Sequence, residues 1–426
     1  MNVLLVGSGA REHAIAWKLR QSPALTDLFV APGNAGTATL GTNLPLNAAD
    51  LEGLARAARE NHCQLVVVGP EEPLARGLVD RLAVEGIAAF GPSRAAARIE
   101  SSKAFAKELM QRHGIPTART AVFSNRTDAR NYVEALSAAP VVKADGLAAG
   151  KGAIVCDTKA QARQAIDLMM GEEAAFGEAG RTVVIEERLE GREVSAHAFS
   201  DGRTTAAMPF SCDYKRALDG DEGLNTGGMG AYSPPGWLDG ATASRIDREV
   251  TAAAVAAMAA EGLPYHGVLY PGIMVTADGP RVLEFNCRLG DPEAQVLLPR
   301  LKTDLLEVCL AVANNRLHEL EIEWSEQACV GVVLASGGYP EEYATGFPIA
   351  GLGQVEPDVL VFHAGTAPTE DGGAVTSGGR VLTVAALGEN LSEARAKVYR
   401  NVQRIHFSRR HYRSDIAAPA QAARVE

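Results

Sequence analysis

The first hundred positions alternate short aliphatic runs with longer stretches of helical periodicity. Val3–Val6, Leu28–Val30, Leu65–Val68 and Ile87–Phe90 read as strands, with Glu12–Arg20, Leu51–Asn61 and Leu74–Glu85 as helices between them. Parallel neighbours need a crossover, so this alternation predicts a parallel sheet. Three of the strands run into loops carrying glycine or proline: Gly7-Ser8-Gly9, Ala31-Pro32-Gly33-Asn34 and Gly69-Pro70-Glu71. Ligands of such sheets bind at the carboxyl ends of the strands, which puts a pocket at these loops.

A helical stretch, Ser101–His113, and the breaker Gly114-Ile115-Pro116 close this region. Strand candidates Thr120–Phe123, Val141–Ala144, Ile154–Cys156 and Thr182–Glu187 follow, separated by helical patterns at Arg126–Ala135 and Lys159–Met170. Next come Ala206–Phe210, a glycine-rich loop, an alanine-rich helix at Ser244–Glu261, strands at Gly267–Val275 and Arg281–Phe285, and a helix at Lys302–Asn314. Strands near Val330–Ala335 and Arg380–Ala386, with a helix at Leu391–Ile405, predict a small closing α/β unit. Pro271 removes one ladder donor and predicts a local irregularity in its strand.

With 426 residues the chain exceeds one hydrophobic core, so about three domains of ~150 residues are expected. A 46% hydrophobic share against 22% charged residues supplies several cores and excludes a disordered chain. The net charge of −11 argues against a nucleic-acid or anionic-membrane surface, both of which need a basic face. A phosphorylated ligand must therefore meet a local cluster of positive groups. Six scattered cysteines contain no C-x-x-C pair, so neither a disulfide scaffold nor a zinc knot is indicated, and a reducing compartment fits. No apolar run reaches the ~18 residues of a membrane span, and Met1-Asn2 leads directly into Val3 without a charged leader. A cytoplasmic protein with no membrane or nucleic-acid partner is expected.

Several constellations bear on chemistry. Gly7-Ser8-Gly9-Ala10-Arg11-Glu12 has Glu12 where a dinucleotide fingerprint carries its third glycine, which counts against NAD. A turn that opens a helix beside Arg11 suits a single phosphate instead. Gly146-Leu147-Ala148-Ala149-Gly150-Lys151-Gly152 fails Walker A: three residues separate its glycines, and Gly152 replaces the magnesium-binding hydroxyl. Its lysine can still close over a triphosphate, with Lys143 as a second charge. In Val282–Arg288 a period of two puts Glu284, Asn286 and Arg288 on one face. A carboxylate and an amide carbonyl there suit magnesium shared with substrate phosphates, and Arg288 suits an oxyanion. Asp213-Tyr214-Lys215-Arg216 and Asn225–Tyr232 form a long charged, glycine-rich loop of the kind that carries function. No G-x-S-x-G elbow and no His–Ser or His–Cys pairing supports a covalent nucleophile.

A glycine-loop lysine without Walker A, a strand lysine, Glu186-Glu187-Arg188-Leu189 and E-x-N-x-R together resemble the ATP-grasp enzymes. More narrowly, the chain resembles the phosphoribosylamine–glycine ligase family. The resemblance is carried by residues 6–13, 31–37, 68–71, 143–152, 225–234, 284–293 and 378–382. It implies an α/β, in part α+β, ATP-grasp architecture. An N-terminal parallel βαβ domain (1–102) would precede an ATP-grasp region (103–322) with a lid subdomain at about 117–192, and a small C-terminal α/β domain (323–426) would follow. It also implies ATP with Mg2+ or Mn2+, the substrates glycine and 5-phosphoribosylamine, a glycyl phosphate intermediate and a monomer. Another ATP-grasp carboxylate–amine ligase, or a biotin-carboxylase-like enzyme, is the alternative.

By the same resemblance Lys103, Lys143 and the loop lysine Lys151 would meet the nucleotide. Glu186, Glu187 and Leu189 would frame adenine and ribose, and Glu193 would take the ribose hydroxyls. Glu284 and Asn286 would hold the metal, with Arg288 and Lys151 catalytic. Gly9 and Arg11 would bind the ribosylamine 5′-phosphate. Asp213, Lys215, Asn225, Gly227 and Gly228 would line the pocket between glycine and amine. Cys212 and Tyr214 depart from the Gln and His of many relatives.

Overall fold

The structure is a computed structural model that describes residues 1–147, 152–171 and 177–418. Its N-terminal sheet is parallel and five-stranded, ordered Thr42–Asn43, Leu28–Pro32, Asn2–Gly7, Cys63–Val68 and Ala88–Phe90. Continuous aliphatic runs form the central strands because helices cover both faces: Val3 through Val6 and Leu65 through Val67 are buried. The helix expected over Leu74–Glu85 is instead two, Glu71–Arg76 and Leu78–Val84. Gly77 separates them at φ 93°, a left-handed conformation that glycine takes without steric cost.

The next sheet is antiparallel, ordered Thr120–Phe123, Val183–Glu186, Val141–Ala144 and Ala153–Val155. Helices Arg126–Ala135 and Lys159–Met170 pack on it through Ala129, Val133, Ala162, Ile166 and Met169. A third sheet centres on the long strand His266–Thr276, which pairs with Gly279–Asn286 on one edge. On its other edge Arg192–Ser195 and Ala198–Asp201 lie end to end. Pro271 falls at the gap between these two partners, where a ladder donor is missed least. One residue on, the register shifts so that Leu283 has no partner, the irregularity expected at this strand.

The sheet of the last hundred residues does not begin there. Ala328–Ser336, Arg380–Gly388 and Val359–His363 are joined by Gly230–Ser233 and Cys212–Asp213. The charged loop between 213 and 230 is thereby held at both ends by a sheet whose other strands come from residues 328–411. No helix among the described residues is long and apolar enough to cross a membrane.

Candidate active site

Cross-strand pairing decides which side chains share a face. Ser195 opposes Gly272 and Gly272 opposes Glu284, while Tyr270 opposes Asn286, so Glu193, Ser195, Tyr270, Glu284 and Asn286 line one side of the sheet. Phe285, Ile273 and Val282 point to the core on the other. The Asn286 amide donates to the Tyr270 carbonyl at 3.4 Å, which leaves its oxygen for the site.

Three lysines converge on this face. Lys143 reaches across from the antiparallel sheet and donates to the carbonyl of the unpaired Leu283 at 2.9 Å. Its ammonium also lies 3.1 Å from Glu186 Oε1. Lys107, which the sequence reading missed, donates to Glu186 Oε2 at 3.0 Å and to Thr117 Oγ1 at 2.7 Å. Burial, reinforced by Lys143, pulls the Lys107 ammonium down to about 8 against the opposing pull of Glu186. The signal for it was its place four residues after Lys103, on the same helix face. Lys103 itself donates to the Gly146 carbonyl at 3.0 Å. Burial disfavours the Glu284 carboxylate, but Lys143, Lys215, Lys103 and Arg288 hold its pKa below the usual range. Glu186 Oε1 is buried and has the Lys143 ammonium as its ion-pair partner.

Of the other residues expected at the nucleotide, Glu187 accepts from the Arg119 backbone and guanidinium, and Leu189 is half-buried on the following loop. Glu193 is exposed and bonded by Lys215. Lys151 lies outside the described residues. Lys215 also stands 3.7 Å from Asp213, whose side chain is 10% exposed. Burial pushes the Asp213 carboxyl up to about 7; Glu293 and Glu193 act in the same direction and Lys215 against it. Glu293 accepts from Tyr270 Oη at 2.6 Å and from Ser195 Oγ at 3.4 Å.

The glycine loop is tied down at its turn. Thr226 N–H donates to the Lys215 carbonyl and Gly227 N–H to Tyr339 Oη at 3.0 Å. Arg380 donates to the carbonyls of Gly227 and Asp291. Gly228 sits at φ 111°, and a Cβ there would meet Pro292 Cδ at 2.4 Å. Asn225 is exposed at the end of a hairpin strand opposite Arg216.

The N-terminal turn differs from expectation. Glu12 is 2% exposed and fills the concavity between Gly7, Gly9 and Gly69, where a Cβ on any of the three would strike it. Its carboxylate accepts Gly9 N–H at 2.6 Å and Arg11 Nε at 2.6 Å. The anion that the turn was expected to bind is thus supplied by the chain itself, and Arg11 is spent on Glu12 and on the Leu289 carbonyl at 3.2 Å. Gly9 instead borders a cavity of about 340 Å3 with Ser8, Asn34, Asp291, Thr366, Ser377 and Arg380 among its lining. Ser8, Gly9 and Asn34 belong to the loops where a pocket was expected, whereas Thr366, Ser377 and Arg380 were not anticipated, because only the tertiary fold brings residues 364–380 against the first strand's loop.

Arg288 follows Glu284 and Asn286 but turns toward the N-terminal sheet. Its Nε donates to Glu71 at 2.9 Å and its Nη2 to Glu100 at 3.0 Å.

Profiles of the three parts of phosphoribosylglycinamide synthetase match consecutively: the N domain over residues 1–100, the ATP-grasp (A) domain over 101–294 and the C domain over 329–419. The chain belongs to the phosphoribosylglycinamide synthetase family. Phosphoribosylamine–glycine ligase of Allochromatium vinosum is 50% identical over 99% of each chain. The crystal structure of phosphoribosylamine–glycine ligase from Thermotoga maritima has a TM-score of 0.86 at 36% identity, covering 98% of this chain and 100% of that one. A biotin carboxylase from Campylobacter jejuni shares the fold, with a TM-score of 0.75 at 15% identity over 96% and 92% of the two chains. Membership in the synthetase family makes this an ATP-grasp ligase, with the α/β architecture and parallel first sheet that the resemblance implied; the later sheets are antiparallel.

Proposed function

We propose that the protein ligates glycine to 5-phosphoribosylamine, forming glycinamide ribonucleotide with ADP and phosphate. The observation that carries this reading is a chain of contacts between two polar sites, running from Glu284 through Lys215 and Asp213 to Thr226, Gly227 and Arg380. The lysine-rich face bearing Glu284 and Asn286 leads past Asp213 and the 225–230 loop to the cavity bordered by Gly9, Asn34 and Arg380. A nucleotide fits the first end and a sugar phosphate the second.

Lys103, Lys143 and Lys107 neutralise the nucleotide phosphates, and Lys151 is assigned to them from the glycine loop. Glu186 Oε1 accepts from the adenine amino group, with Glu187, Leu189 and Glu193 framing base and ribose. Magnesium or manganese suits the oxygens of Glu284 and Asn286; bound with ATP, it would offset the charge of the transferring phosphoryl group. The glycine carboxylate takes the γ-phosphoryl group and ADP leaves, because a free carboxylate is inert to amines. The ribosylamine nitrogen then attacks the acyl carbon, phosphate departs, and the nitrogen loses a proton. Arg288 bears on the acyl phosphate, while Asp213, Lys215 and the backbone of Gly227 and Gly228 line the space where the two substrates meet. In place of Arg11, Arg380 and Ser377 hold the 5′-phosphate beside Gly9. Residues 1–102, 103–322 and 323–426 would act as three units, with about 117–192 as a lid, in a monomer of the cytoplasm.

ADP release, measured with magnesium, glycine and phosphoribosylamine generated from ribose 5-phosphate and ammonia, tests this directly. Omitting either co-substrate should abolish release, and Glu284→Ala should lower it at least about a hundredfold, as expected for losing an electrostatic anchor of the transition state. Release that ignores glycine would assign the fold to another acceptor.

A further inference from the structure

We propose that Glu71 and Glu100 are positioning residues for Arg288, a clamp through which the N-terminal domain sets the orientation of the guanidinium at the phosphoryl-transfer site. The inference rests on the ligase reading above and concerns residues to which that reading gives no role. Glu71 opens the short helix after Gly69-Pro70, and Glu100 lies just before the Ser102-Lys103 entry to the ATP-grasp region. Their carboxylates arrive from two separate segments and take different nitrogens of one guanidinium, Nε at 2.9 Å and Nη2 at 3.0 Å. Glu100 grips twice, since its second oxygen accepts the Cys287 backbone N–H at 2.7 Å. It therefore holds both the strand end and the side chain that leaves it.

Stability alone is a weak reason for this arrangement, because desolvating three charges offsets most of their attraction. Orientation is a stronger one. A guanidinium has five N–H donors in a rigid plane. Glu71, Glu100 and the Leu289 carbonyl, the last at 3.4 Å, account for three of them. One N–H on each terminal nitrogen remains, enough to receive two oxygens of a phosphoryl or acyl phosphate group. With three donors held, the guanidinium plane is fixed in one orientation. Arg288 lies just past the paired strand, two residues after Asn286, and its charge acts on the Glu284 carboxylate, which puts its free donors at the same site.

The test compares Glu71→Gln and Glu100→Gln with wild type in the omission assay, adding hydroxylamine to trap glycyl phosphate as the hydroxamate. Each variant should lose roughly tenfold to a hundredfold in kcat, the scale for misplacing a catalytic group by about an ångström. Hydroxamate formation should fall in parallel, with the KM for ATP and the thermal midpoint little changed. Glu100→Asp, which keeps the charge, should recover part of the loss. A purely structural role would move the midpoint and the ATP KM instead. Should Glu100→Gln fail to fold, Glu71→Gln carries the test, its side chain being 28% exposed against 9%. Variants as active as wild type, or losses confined to stability, overturn the clamp alone. Wild-type ADP release that ignores glycine overturns the ligase reading and the clamp with it.

Discussion

At the scale of single residues, Glu12 shows how one side chain redirects a motif. In place of a third glycine it puts a carboxylate into the turn that would otherwise receive a phosphate, and ties Gly9 N–H and Arg11 to itself. Removing it leaves a buried guanidinium without its partner. Glu12→Ala should therefore cost about 3–5 kcal/mol, the range for breaking a buried pair, measurable as a lower midpoint in urea unfolding. Equal stability would mean that Arg11 finds another carboxylate, Glu71 and Asp291 being the others whose charge acts on it. The strand pattern announced Glu284 and Asn286, because alternation is a local property. Lys107 was harder to see. A lysine at helical spacing from another is usually a solvated one, and only the approach of Glu186 from a different sheet makes it a buried one.

At the scale of elements, the loop between 213 and 230 depends on contacts far away in sequence. Its turn is pinned by Arg380 and Tyr339, and Gly228 combines a left-handed φ with close approach to Pro292. Gly228→Ala therefore meets both backbone strain and a clash. We expect it to raise the KM for phosphoribosylamine several-fold or more while the KM for ATP stays near wild type, because the nucleotide lysines lie on other elements. A matched rise in both would mean that the loop supports the whole site. The long helix expected at Ser244–Glu261 runs from Gly240 to Ala260, with a π-type turn at Asp247–Ala252 inside it. Alanine-rich periodicity marked the helix, but an extra residue in one turn leaves no sequence signature.

At the scale of the whole molecule, the first helix meets the C-terminal sheet through two histidines. His13 Nδ1 accepts the His363 backbone N–H at 2.8 Å, and the rings lie 5.5 Å apart beside Phe362. Burial, with the charge of His363 adding to it, holds His13 down to about 3, and burial holds His363 down to about 4. Both pKa values are lower in the folded state than the ordinary 6.5, so the unfolded chain takes up protons first on acidification. The stability they contribute is complete above about pH 6.5 and is lost as pH falls toward 4 and then 3. The thermal midpoint should therefore drop between pH 6.5 and 4, and His363→Gln should make that drop shallower. A midpoint flat across this range would show that the contact opens without cost. The contact also closes the cavity, since Asn34 donates to the His363 carbonyl at 2.7 Å and Thr366 lies on its wall.

Much of the protein was determined by sequence alone: the parallel first sheet, the helices Arg126–Ala135 and Lys159–Met170, the shared face of Glu284 and Asn286, and the family. Each follows from periodicity or from contiguous motifs, which are properties of near neighbours along the chain. Tertiary structure alone decided the rest. It joined strands 212–213 and 230–233 to the C-terminal sheet, turned Arg288 onto Glu71 and Glu100, and built the cavity from Gly9, Asn34 and Arg380. Those outcomes depend on which groups the fold brings together, and local pattern carries no record of a partner such as Glu71, 217 residues from Arg288, or His363, 350 residues from His13.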